Sequence, residues 1–183
     1  MRTILAGLAG GIAMFVWSSI AHLATPLAET GFSTLPNEQA TMQTLATGIG
    51  EHGGLFLFPD MRPGKTAQTH PPTHGAFGLL VYRPDVAYTM NPSTLGTEFG
   101  VEVVEALIAA FLLSWAAVAG YTARVGFVTL VGLAACITTN VSYWNWYGFP
   151  MSYTLAYALI QFVGYFVAGL VIALILPRSA SSA

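Results

Sequence analysis

Three glutamates are spaced so that they share one face of a helix. Glu98, Glu102 and Glu105 stand at positions i, i+4 and i+7 of a segment that is otherwise apolar enough to cross a membrane. An ionised carboxylate at mid-depth in hydrocarbon costs on the order of 2.5 kcal/mol or more, so such groups normally face a bundle interior or water. The spacing therefore predicts a polar site inside the bundle, whose carboxylates could share a proton or bind a metal ion or an organic cation.

A further titratable group, His22, lies at the end of the first apolar segment. Together with Glu102 and Glu105 it would give the mixed imidazole and carboxylate ligand set that suits zinc or iron, and His52 is an additional candidate. No ExxH or HExxH spacing is present, so the ligands of this hypothetical divalent metal site would come from separate elements. A b-type haem is not expected, because no second histidine lies in an apolar segment.

The composition is typical of a membrane protein. Of 183 residues, 55% are hydrophobic and only 8% are charged, whereas a soluble domain has roughly 25% charged residues. Four segments reach the roughly 20 residues that cross about 30 Å of hydrocarbon, which predicts an all-α membrane protein with a bundle of four transmembrane helices at residues 1–24, 92–120, 126–146 and 150–176. Membrane lipids are the expected surroundings and other membrane-protein subunits the candidate partners; the net charge of −2 and the lack of a basic run exclude nucleic acid.

The basic residues predict the orientation. Arg2, Arg124 and Arg178 lie beside the ends of apolar segments, so the positive-inside rule places both termini, including the tail 177–183, in the cytoplasm. The connection 25–91 is then extracytoplasmic. We interpret the first apolar segment as a membrane span, since it is long for the core of a cleaved signal peptide.

The connection 25–91 is predicted to form a small α+β cap. It contains an amphipathic helix at about 36–47 and two hairpin strands at about 54–59 and 77–83. Because two strands and one helix bury too little surface to be stable alone, this cap is expected to rest on the outer ends of the helices.

The third and fourth apolar segments are also polar near their outer ends, where they carry Asn140, Tyr157 and Gln161. With His22 and the three glutamates, these residues are predicted to line one pocket that opens to the outer face above a floor of small apolar residues. For Asn140 and Gln161 the alternative is an interhelical hydrogen bond, worth about 0.6 kcal/mol.

Three local patterns have structural explanations. Residues 7–11 (GLAGG) have the GxxxG spacing that allows two helices to approach closely. The single cysteine, Cys136, is expected to be a small packing residue. Residues 144–149 (WNWYGF) are interpreted as an aromatic belt at the membrane interface, with a ligand-stacking surface as the alternative.

Four segments together resemble a group of uncharacterised bacterial four-span membrane proteins. They are residues 17–22 (WSSIAH), 35–38 (LPNE), 79–82 (LLVY) and 141–150 (VSYWNWYGFP). The resemblance implies a bacterial inner membrane and carries no activity with it.

Two functions remain open from the sequence. The first is a non-enzymatic accessory or binding protein, as a subunit of a larger membrane complex, with an outward-facing polar pocket in the outer half of the bundle. The alternative is a small membrane enzyme or carrier in which Glu102 and Glu105, with His22, accept protons or bind a metal. A cavity of several hundred Å³ at the glutamates would favour the alternative, and a contiguous apolar surface facing another protein would favour the first.

Overall fold

The computed structural model describes residues 1–59, 75–86, 91–116 and 118–176. Of the described residues, 74% are helical, and a small two-stranded sheet accompanies the helices, which confirms the predicted predominance of helices. The chain also contains a 3-10 helix, Pro26–Glu29, and a π-helical segment, Ile137–Val141. The elements are α1 (Arg2–Ala24), α2 (Glu38–Ile49), β1 (Gly54–Phe58), β2 (Gly78–Tyr82), α3 (Pro92–Ala116), α4 (Tyr121–Cys136), α5 (Ser142–Tyr147) and α6 (Met151–Ile175).

Four helices in the described part of the chain are long and apolar enough to cross a membrane. Each has 23 to 27 residues, more than the roughly 20 that hydrocarbon requires. By length and composition they support a multi-pass membrane protein. They are Arg2–Ala24, Pro92–Ala116, Tyr121–Tyr147 and Met151–Ile175, of which the third comprises α4, the π-helical segment and α5.

The chain forms two compact units. The helical unit comprises Met1–Phe32 and Met90–Ala183, and the second unit comprises Ser33–Thr89. Residues 25–32, which the sequence analysis assigns to the connection, belong to the helical unit. Phe32 packs edge-on against Tyr153 with ring centroids 5.5 Å apart. Gly31 has φ +90°, and a Cβ there would lie 2.5 Å from Cβ of Tyr153, so only glycine fits this close approach.

The second unit contains α2 and the antiparallel pair β1 and β2, which runs in register from Gly54 opposite Tyr82 to Phe58 opposite Gly78. Helix α2 is shifted toward the C-terminus relative to the predicted 36–47. It begins after Asn37 and does not end at Gly48. The glycine that ends the helix is Gly50, which has φ +76°. The connection between the two strands falls on residues 60–74, which lie outside the described part of the chain.

The membrane helices also differ from their predicted bounds at the α3 to α4 connection. Helix α3 begins at Pro92 as the sequence indicates, since the Asn91 side chain accepts a hydrogen bond from the Thr94 N–H at 2.9 Å. It ends at Ala116 and not at residue 120, and α4 begins at Tyr121 and not at residue 126. Residues 118–120 are not helical, and Gly120 with φ +83° supplies the break between the two helices.

Close backbone contacts assemble the helical unit. Helix α1 packs against α3 and α6, and α6 also packs against α4. A Cβ added at Gly11 would lie 2.6 Å from Cα of Val103, and one at Gly7 would lie 2.8 Å from Cα of Leu107. The GxxxG spacing therefore forms the contact between α1 and α3, where these glycines let the two backbones approach.

The core of the helical unit consists largely of small side chains. The fully buried residues are Ala6, Ala106, Ala109, Ala110, Val128, Ala168 and Ile172.

Arg124 is buried and stabilises the end of α6. Its side chain is only 4% exposed, and its guanidinium donates a hydrogen bond to the Leu176 carbonyl at 3.1 Å. A cation at the C-terminus of a helix satisfies a free carbonyl and complements the helix dipole. Arg124, which helps to predict the membrane orientation, therefore also stabilises the fold through its bond to Leu176.

Candidate functional site

A cavity of about 560 Å³ lies among α1, α3, α6 and the helix formed by α4 and α5. Its volume falls within the roughly 300–1,000 Å³ that is typical of small-molecule sites. The lining includes every residue that the sequence predicts for the pocket, namely His22, Glu98, Glu102, Glu105, Asn140, Tyr157 and Gln161.

The cavity occupies the end of the helical unit where α1 ends and where α3 and α6 begin. Along α3 its lining extends from Thr94 to Glu105, which is about 17 Å at 1.5 Å per residue. At the other end of the cavity, deeper in the bundle, the lining includes Met14 and Gly164. Beyond them the helices pack through the small residues of the core, so the cavity is confined to one half of the bundle.

The three glutamates have different environments. Glu102 is 7% exposed, and the Ser18 hydroxyl is its hydrogen-bonding neighbour. Its second oxygen, Oε2, is buried and has no hydrogen-bond partner among the described residues. Glu105 is half-buried and has the Tyr165 hydroxyl as its neighbour, whereas Glu98 is exposed. A buried polar atom without a partner costs roughly 1–3 kcal/mol. The buried oxygen of Glu102 therefore lowers the stability of the folded protein.

The charge of the cavity is one-sided. Among the described residues, its lining contains the three carboxylates and neither lysine nor arginine. His22 is the lining group that could carry a positive charge. Its Nδ1 bonds to the Ser18 carbonyl at 2.9 Å, and because a carbonyl only accepts, Nδ1 carries the hydrogen and Nε2 is the remaining nitrogen. The imidazole also packs edge-on against Tyr157, with the ring centroids 6.1 Å apart.

The structure does not assemble the hypothetical metal site. In residues 1–59, 75–86, 91–116 and 118–176, no three His, Cys, Asp or Glu side chains are placed to hold one metal ion. His22, Glu102 and Glu105 line the same cavity without forming such a group. The fourth candidate, His52, belongs to the second unit.

Asn140 and Gln161 join two helices at the wall of the cavity. The Asn140 amide donates to the Gln161 side-chain oxygen at 3.2 Å and to the Cys136 carbonyl at 3.0 Å. Asn140 lies in the π-helical segment, a rare interruption of an α-helix that often occurs at functional sites. The pair thus forms the interhelical hydrogen bond that the sequence offers as an alternative, while both residues also line the cavity.

A row of stacked aromatic rings forms a second side of the site. Tyr143 contacts Phe149 at 5.3 Å between ring centroids, Phe149 contacts Tyr153 at 5.1 Å, and Tyr153 stacks on Tyr157 at 4.2 Å. Tyr143, Tyr153 and Tyr157 line the cavity directly. The Tyr157 hydroxyl also donates to the Ala28 carbonyl at 3.4 Å, which ties the row to residues 25–32.

The segment 144–149 divides between two environments. Trp146 is 71% exposed, as an aromatic belt requires. Gly148 adopts φ +72° and ends α5, so that the chain turns and the Phe149 N–H reaches the Tyr143 carbonyl at 3.5 Å. This turn brings Phe149 into the aromatic row, so the segment also supports the wall of the cavity.

Several aromatic residues in or beside the site are missing from the sequence prediction, namely Phe15, Trp17, Tyr143, Tyr153 and Tyr165. Trp17 lines the cavity, and its indole N–H donates to the Ile160 carbonyl at 2.8 Å, which fixes the ring. Tyr165 is buried beside Glu105. A signal for Tyr165 exists in the sequence, since it continues the four-residue spacing of Tyr153, Tyr157 and Gln161. The position of Trp17 inside an apolar span, away from the interface, is a weaker signal.

In comparisons with protein-family models, curated proteins and solved structures, nothing matches this chain. Its class is therefore defined by its own features. It is a multi-pass membrane protein whose helices enclose a carboxylate-lined cavity in one half of the bundle.

Replacement of Glu102 by methionine should stabilise the folded protein. Glu102→Met removes a buried carboxyl oxygen that has no partner and substitutes an apolar side chain of similar length, while Ser18 can bond a carbonyl of its own helix. We expect the free energy of unfolding in detergent to increase by about 1–3 kcal/mol. Glu98→Met is the matched control, because Glu98 is exposed and should give little change. Lower stability of Glu102→Met than of the wild type would show that the carboxylate is a structural hydrogen-bonding group.

Proposed function

We propose that this protein binds a small molecule in the cavity among α1, α3, the π-helical segment, α5 and α6. The observation that supports the proposal is the combination of a 560 Å³ cavity with a buried carboxyl oxygen that lacks a partner. Such a cavity at the glutamates favours a ligand-handling protein of the carrier type over an accessory subunit. The outward apolar side chains give no separate support for a partner subunit, since lipid covers such faces in any membrane helix.

The lining has the composition of a ligand site. Half of its side chains are apolar or aromatic, and the polar groups converge from separate helices, which is the usual way that a pocket fixes the orientation of a ligand. Hydrogen bonds and charges are stronger in such a low-dielectric environment than in water. In our proposal the ligand is recognised by Glu102, Glu105 and His22. The hydrogen bond between Asn140 and Gln161 holds the wall of the cavity in place.

We further propose that the chain lies in a bacterial cytoplasmic membrane with both termini in the cytoplasm. Arg2, Arg124 and Arg178 support this orientation through the positive-inside rule. The cavity lies at the end of the bundle opposite to Arg2 and Arg124, so it would face the extracytoplasmic side.

The orientation can be tested with two introduced cysteines in a Cys136→Ala background. Ser152→Cys stands at the cavity end of α6, and Thr122→Cys stands at the opposite end of the bundle; both positions are exposed. In intact cells a membrane-impermeant maleimide should label position 152 and not position 122, and both should react after lysis. Labelling of position 122 alone in intact cells would reverse the proposed orientation.

The binding proposal can be tested by filling the cavity. Val101 lines the cavity, whereas Val104, one turn further along α3 and 54% exposed, does not. We expect native mass spectrometry of the wild-type protein, purified from its own membrane in mild detergent, to show a bound small molecule. Val104→Trp should retain this molecule and Val101→Trp should lose most of it. Equal retention by both variants, or no bound molecule in the wild type, would contradict the proposal.

A further inference from the structure

We propose that the ligand of this cavity is an organic cation with an apolar body, such as a protonated amine or a quaternary ammonium compound. This inference rests on the proposed function, namely that the cavity receives a small molecule. It combines three observations: an excess of carboxylates, a buried carboxyl oxygen without a partner, and a wall of aromatic rings.

The carboxylates favour a positively charged ligand. Glu98, Glu102 and Glu105 line the cavity, and no lysine or arginine among the described residues lines it with them. Oε2 of Glu102 is buried and unpartnered. A cation in the cavity would be attracted by these carboxylates, whereas an anion would be repelled by the same three groups.

The aromatic side chains favour an organic cation. Phe15, Trp17, Tyr143, Tyr153 and Tyr157 all line the cavity. Aromatic rings within about 6 Å attract an ammonium group through their π-systems and are a recurrent feature of quaternary ammonium sites. The Trp17 ring is fixed by its bond to Ile160, and Tyr153 and Tyr157 are fixed by stacking on each other. These rings are therefore held in place before a ligand arrives.

The remaining lining suits the apolar body of such a ligand and not a bare metal ion. Leu23, Leu95 and Ile160 lie in the wall beside the aromatic rings. The cavity of about 560 Å³ is many times the ~30 Å³ that one water occupies in the liquid. In the part of the chain that the structure describes, no three carboxylate, imidazole or thiol groups converge on one point, as a dedicated metal site would require.

The charge of the ligand can be isolated with a matched pair of probes. Benzyltrimethylammonium carries a positive nitrogen where neopentylbenzene carries a neutral carbon, and the two are otherwise the same shape. Binding of radiolabelled benzyltrimethylammonium to the purified protein in detergent is measured by equilibrium dialysis against protein-free micelles, with unlabelled neopentylbenzene as competitor. We expect saturable binding of the cation that an equal concentration of the neutral compound does not displace.

Two glutamate variants locate the charge. Glu102→Gln should weaken binding of the cation at least tenfold, while Glu29→Gln should leave it unchanged, because Glu29 belongs to the same unit but does not line the cavity. Circular dichroism and the midpoint of thermal unfolding verify that Glu102→Gln is folded. If that variant fails to fold, Glu105→Gln replaces it, with the same expected loss.

The outcomes separate this inference from the proposed function. If neopentylbenzene competes as well as the cation, and Glu102→Gln binds normally while Val101→Trp does not bind, the cavity is a ligand site but the ligand is not selected for charge. Binding of the cation that survives Val101→Trp places the probe elsewhere and overturns the inference, as does failure of the wild type to bind the cation. If the native-mass test also finds no ligand, the proposed function fails with it.

Discussion

The buried carboxyl group of Glu102 is the constraint on which the account of this protein depends. A carboxylate inside a membrane helix is tolerated only where protein or water surrounds it, and here it faces a cavity and not lipid. Ser18 satisfies part of its hydrogen-bonding capacity, and Oε2 is left without a partner. Natural proteins accept such penalties mainly at functional sites, where a ligand supplies what the fold leaves out.

The two halves of the bundle are built from opposite kinds of side chain. In one half, Gly7 and Gly11 bring the backbones of α1 and α3 together, and alanines fill the space between the helices. In the other half, the same helices carry large aromatic side chains that hold each other in place, as in the stack of Tyr153 on Tyr157. Close packing at one end and aromatic spacers at the other leave a cavity that is closed below.

Helical periodicity explains how much of the site can be read from the sequence. Glu98, Glu102 and Glu105 repeat at helical spacing, so their shared face follows without knowledge of any other helix. The π-helical segment at Asn140 cannot be predicted from periodicity, because nothing in its local residue types marks the change from α-helix. The contact of Arg124 with Leu176 joins residues distant in sequence, and no periodicity encodes such a pairing. The metal hypothesis fails for the same reason, since residue types alone do not give the positions of three ligands.

The most direct test of the central claim is a crystal structure of the protein grown from a lipid mesophase, at a resolution that shows side chains. The account predicts that Glu102 and Glu105 point into one cavity with His22, Asn140 and Gln161, and that non-protein density lies against the Glu102 carboxyl group. A Glu102 side chain that faces lipid, or a cavity closed by direct packing of α1, α3 and α6, would contradict it.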